Sequence, residues 1–84
     1  MVVISKFRRQ IEEERRALCE RLRLAREDAG LTQVEAAARL GIEQSIISRI
    51  ETGERRLDVA ELIAIAEAYG KNPCRMILGH KNLS

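Results

Sequence analysis

Hydrophobic positions along the chain recur every three or four residues, in blocks that end at glycine. In the first block Phe7, Ile11, Leu18, Leu22, Ala25 and Ala29 stand three, four or seven apart, so they share one side of a helix. That helix is expected from about residue 6 to Ala29, with the whole stripe in the core. Its polar flank, Glu12, Glu13, Glu14, Arg15 and Arg16, reads as a solvated face with weak pairs along the helix. Glycines at 30, 41, 53, 70 and 79 separate stretches rich in Ala, Leu, Ile, Glu and Arg, which are good helix formers. Thr32-Gln-Val-Glu35 and Asp58-Val-Ala-Glu61 are capping boxes, and Asn72-Pro73 places an N-cap before proline at a first helical position. There is no sustained alternation of period two and no hairpin turn signal. The expectation is an all-α fold of about five helices.

Composition narrows this further. The 84 residues fit one small domain that buries roughly 60 to 65% of its unfolded surface, a size easily stabilised by a partner chain. The longest apolar runs, Val2 to Ile4 and Met76 to Leu78, are far below the roughly 20 residues of a membrane span. The start lacks a basic segment followed by an apolar one, so a cytoplasmic location is expected. Cys19 and Cys74 stand apart, with only His80 as a further nitrogen ligand, so neither a metal site, a disulfide framework nor a cofactor is expected. No nucleophile, base or phosphate-loop motif points to an enzyme. A net charge of +2 does not by itself argue for nucleic acid. Phe7 and Tyr69 are the only aromatics, which disfavours stacking on single strands.

The segment Thr32 to Gly53 proposes two short helices joined at Gly41, the second running roughly from Gln44 to Glu51. Ala37 is small where the helices must approach, Gly41 supplies a tight turn, and Leu40, Ile42, Ile47 and Ile50 supply apolar contacts. At about 100° per residue, Ile47 and Ile50 lie about 60° apart and mark the buried side. Gln44, Ser48, Ser45 and Arg49 then fall at about 60°, 100°, 160° and 200° from Ile47, an arc of hydrogen-bonding side chains. A solvated face carries the same residue types; an arc of this chemistry also reads base edges in a major groove.

Here the chain resembles the Cro and phage-repressor (XRE) family of helix-turn-helix DNA-binding proteins, over roughly residues 17 to 78. The resemblance rests on Leu22, Arg26, Gly30-Leu31-Thr32-Gln33, Ala37, Leu40-Gly41, Gln44-Ser45, Ile47, Ile50-Glu51, Gly53, Glu61-Leu62 and Tyr69-Gly70. It implies a four- to five-helix bundle of the lambda-repressor-like type and a homodimer on a palindromic operator in double-stranded DNA. Its third helix would lie in the major groove. On that footing Gln44, Ser45, Ser48 and Arg49 are the expected base readers. Gln33, at the start of the second helix, and Arg55 and Arg56, beyond the third, are expected on phosphates.

Two positions depart from the family pattern. Ile46, near the margin of the buried arc, either touches a thymine methyl or extends the core. Glu43 accepts from cytosine, excludes some sequences or caps the third helix, capping being favoured. Arg26 and Glu51 match a structural ion pair between the first and third helices and are left out of the binding set. The division expected is an extension over 1–16, the helix-turn-helix domain over 17–79 and a tail over 80–84. A rival reading from another class is a protein-interaction module, such as an antitoxin, whose main partner is another protein. Met76, Ile77 and Leu78 cannot all face their own core, and one or two are expected to meet a partner.

Overall fold

Residues 2–79 are described by the computed structural model, with side chains from Ser5 onward, and among them five α-helices form without any strand. These are α1 (Val2–Asp28), α2 (Gln33–Leu40), α3 (Gln44–Thr52), α4 (Val59–Ala68) and α5 (Pro73–Leu78). His80 and the expected tail lie outside the described residues.

Local chemistry sets most of the boundaries. Thr32 Oγ1 accepts from the Glu35 N–H (3.1 Å) while Glu35 Oε1 accepts from the Thr32 N–H (2.9 Å), closing the first box. Asp58 and Glu61 close the second at 2.8 and 3.1 Å, and Asn72 Oδ1 accepts from the N–H groups of Cys74 and Arg75. The start of α1 differs from expectation: the helix runs from Val2 and not from about residue 6. Once a helix is nucleated, each further residue adds a hydrogen bond for little extra ordering, and Lys6 to Gln10 are adequate helix formers.

The box carboxylates make folding sensitive to acid. The Thr32 backbone N–H holds Glu35 below its ordinary 4.5, and the Arg55 guanidinium, followed by the Asp58 N–H, does the same for Glu61. Because both values are lowered in the folded state, their stabilisation is complete above the ordinary value and disappears as pH falls through the lowered ones. Urea midpoints should therefore decline from about pH 5 downwards, and Glu35→Gln with Glu61→Gln should flatten that decline. An unchanged slope in the double variant would show that other carboxylates govern it.

The core forms where the helices cross. Leu22 of α1 and Ile47 of α3 are the largest fully buried side chains, joined by Ile50, Leu62, Ile65 and Met76. Ala36 and Ala37, 0% and 3% exposed, let α2 lie close against α3. Gly41 adopts φ 72°, and its N–H and that of Ile42 return to the carbonyls of Ala38 and Ala37, ending α2 abruptly enough for α3 to turn back over it.

The expectation that the whole α1 stripe is core is corrected at its N-terminal end. Leu22 and Ala25 are buried and Leu18 packs on the core, but Ile11 is only half-buried and Phe7 is 64% exposed. A 27-residue helix is about 40 Å long, whereas the others have 6 to 10 residues and reach about 15 Å at most. The short helices gather on the C-terminal half of α1 and leave its first turns overhanging. At the other end of the chain, Met76 turns inward while Ile77 and Leu78 remain more than a third exposed. Arg21 of α1 fixes them there, donating from Nε to the Met76 carbonyl and from Nη2 to the Ile77 carbonyl, both at 2.8 Å.

Candidate nucleic-acid interface

α3 presents two unlike sides. Ile47 and Ile50, 1% and 4% exposed, anchor one of them. The other carries Gln44, Ser45 and Arg49, all exposed, and Ser48, half-buried. Among the described residues no intramolecular hydrogen bond engages the Arg49 guanidinium; Arg49 takes part through its backbone carbonyl, which accepts from Thr52 Oγ1 and the Arg55 N–H.

A chain of hydrogen bonds connects the start of this helix to the interior. Arg26, buried on α1, donates Nε to Glu51 Oε2 (2.6 Å) and Nη2 to Glu51 Oε1 (3.1 Å), with side chains only 9% and 5% exposed. Its Nη1 also holds the Leu31 carbonyl at 2.8 Å, just before α2. The hydrogen bond it donates to Glu51 raises the Arg26 pKa above its ordinary value, so the guanidinium stays charged. Glu51 Oε1 then accepts from Gln33 Nε2 (3.1 Å), and Gln33 Oε1 accepts from Gln44 Nε2 (2.6 Å).

The direction of that chain follows from chemistry. A carboxylate only accepts, so Gln33 must turn its amide nitrogen toward Glu51, which points its oxygen at Gln44; Gln44 must therefore donate. Gln44 is left with a carbonyl oxygen and one amide hydrogen uncommitted, the acceptor–donor pair that matches the N6 and N7 edge of adenine. Ser45, Ser48 and Arg49 continue the same helix face.

The remaining expected residues are distributed less simply. Gln33 stands at the first position of α2, but its side chain already links Glu51 to Gln44, so its second amide hydrogen and the adjoining backbone N–H groups are what it can offer a phosphate. Arg56 is exposed beyond the end of α3. Arg55 is half-buried and donates Nη2 to Glu61 Oε2 at 2.9 Å, so it faces α4 as well as solvent. This carboxylate partner of Arg55 is not among the sequence expectations, where Glu61 stands out only as a capping residue. Ile46 is half-buried against the core, the second of its two readings.

The expected capping by the Glu43 side chain is corrected. Glu43 occupies the N-cap position of α3 with extended backbone, yet its carboxylate makes no cap hydrogen bond. One methylene longer than aspartate, it extends past its own helix N–H groups, and the Glu43 backbone carbonyl takes the Ile46 N–H instead. Glu51 bears on the surface more than its structural role implies, because it also positions Gln33. Glu51 and Gln33 lie 18 positions apart, too far for any local spacing rule to expose the link.

Cys19 and Cys74 are free thiols, burial pushing the Cys19 value up. Among the described residues no group of three or more His, Cys, Asp or Glu could hold a metal ion, and no helix is long and apolar enough to cross a membrane.

A family model described as helix-turn-helix matches residues 22–75. Among solved structures, the XRE-family like protein from Pseudomonas syringae pv. tomato str. DC3000 is 39% identical, with a TM-score of 0.81. That likeness covers 86% of this chain and 88% of the other. No curated protein matches the sequence.

Proposed function

We propose, since this chain belongs to the XRE family of helix-turn-helix proteins, a family of DNA-binding transcriptional regulators that is generally non-enzymatic, that it regulates transcription as a homodimer on a palindromic operator. Its five-helix, lambda-repressor-like fold offers α3 for the major groove. In this reading Gln44, Ser45, Ser48 and Arg49 read base edges, with Glu43 and Ile46 at the margin of the contact. Gln33, Arg55 and Arg56 meet the phosphate backbone, and Arg55 exchanges Glu61 for a phosphate as it does so. The protein works in the cytoplasm as a repressor or a controller of its own gene. Residues 17–79 carry this activity, and the extension over 1–16 continues into α1.

The observation that supports it best is the held amide of Gln44. Tied through Gln33 and Glu51 to a buried arginine, it is ordered before any ligand arrives, which reduces the entropy lost on binding. A solvated surface glutamine has no reason to be anchored this way.

Selection of bound duplexes from a random library at near-physiological salt tests the reading. Enrichment of paired half-sites about one helical turn apart, roughly 34 Å, is the expected result. A folded protein that enriches nothing would overturn it and assign the α3 face to a protein partner instead.

A further inference from the structure

The overhang of α1 and the exposed side of α5 form the walls of an open groove of about 690 Å³. Phe7, Ile11 and Leu18 of α1 line it together with Leu57 and with Ile77 and Leu78 of α5. Phe7 is 64% exposed, and Ile77 and Leu78 are 39% and 37% exposed, so large apolar side chains face water on both sides. Apolar side chains exposed along an open groove make it a candidate docking site. We propose that its occupant is the α1 overhang of a second copy, lying antiparallel to the first, an inference that rests on the homodimer reading above.

The charge order along the overhang selects that occupant. Lys6, Arg8 and Arg9 precede Phe7's helical neighbour Ile11, and Glu12, Glu13 and Glu14 follow it. Two such helices side by side in parallel set like charges against like. Turned antiparallel about an axis near Gln10, Arg8 of each helix faces Glu12 of the other and Lys6 lies beside its acidic block, while Phe7 comes within one helical turn of Ile11 of the partner subunit. The segment is complementary to itself, as an interface on a two-fold axis requires, and every contact made once is made twice. An unrelated acidic or basic partner would match only one block. The Glu12–Arg15 pair within α1 is solvent-exposed and does not prevent Glu12 from facing a second helix.

The groove also adjoins the proposed DNA surface, because Arg55 and Arg56 are among the residues that line it. Pairing two copies through it places the phosphate-facing arginines of both next to the junction. Dimer formation and backbone contact are then neighbours on one face.

Sedimentation equilibrium of the full chain tests the arrangement, with circular dichroism to verify folding. Phe7→Asp, at a position exposed in the single chain, is expected to keep the helix content and weaken self-association at least about 10-fold. The set Lys6→Glu, Arg8→Glu, Arg9→Glu and the set Glu12→Lys, Glu13→Lys should each self-associate poorly. Mixed in equal amounts, the two should pair nearly as well as the wild type. A wild-type dimer indifferent to Phe7→Asp and to both charge sets overturns the inference and leaves the homodimer reading intact. Weakening without rescue in the mixture overturns the antiparallel arrangement. A wild-type chain monomeric to about 100 µM overturns it as well, and the enrichment of paired half-sites then decides separately whether the regulator reading stands.

Discussion

Arg26→Ala is expected to destabilise the domain by about 3–5 kcal/mol, a large share of what so small a fold possesses. The guanidinium makes three short hydrogen bonds, two to Glu51 and one to the Leu31 carbonyl, and both ionic side chains are more than nine-tenths buried. Among the described residues, removal leaves the Glu51 carboxylate only the Gln33 amide as a hydrogen-bond partner, and it takes the donor from the Leu31 carbonyl. Lysine in the same place restores the charge but not the paired N–H geometry, so Arg26→Lys should recover only part of the loss. Urea denaturation at constant slope measures this. A midpoint within experimental scatter of the wild type would show that the pair contributes nothing net. The double variant Arg26→Met, Glu51→Leu separates two roles of the pair. It removes both charges together, so stability should return substantially, while Gln33 loses its anchor and DNA affinity should remain low.

The second large effect concerns the α3 face. Gln44→Ala and Arg49→Ala should each weaken binding to the selected operator by about 1–3 kcal/mol, roughly 5- to 150-fold, with the thermal midpoint nearly unchanged. Both side chains are exposed, which is why folding should tolerate their loss. Each should also relax preference at one position of each half-site, seen by competition with single-base variants. Arg56→Ala is the contrast: removing a charge that neutralises a phosphate lowers affinity for all sequences alike and reduces the slope of log K against log salt by about 1. If Gln44→Ala and Arg49→Ala lower affinity for every duplex equally, the α3 face is not reading bases.

How much of this is legible in the sequence depends on the distance over which a signal acts. The capping boxes at Thr32 and Asp58 and the Asn72-Pro73 start are complete within four residues, and all three form as read. The unlike sides of α3 follow from helical period alone. Phe7 fails for a different reason: a periodic stripe says which residues share a side, not whether anything lies opposite, and the fold leaves Phe7 mostly exposed. The Arg21 contacts to the carbonyls of Met76 and Ile77 span 55 and 56 positions and have no sequence signature, since any arginine on α1 satisfies the same local rules. The same holds for Arg55 and Glu61, where the glutamate already has a sufficient explanation as a capping residue. Arg26 and Glu51, 25 positions apart, emerge only through the family resemblance.

The hydrogen-bonded series from Arg26 to Gln44 also bears on how such a protein diversifies. Ser45, Ser48 and Arg49 lie outside the series, so substitutions there alter the proposed reading face one position at a time and leave the scaffold untouched. Gln44 is different: any replacement that seeks a new base must also provide Gln33 with a new donor, or leave its carbonyl oxygen to water. Change of target is therefore independent of the scaffold across most of the helix, whereas at its first residue a new base contact also gives up the hydrogen bond that holds Gln33.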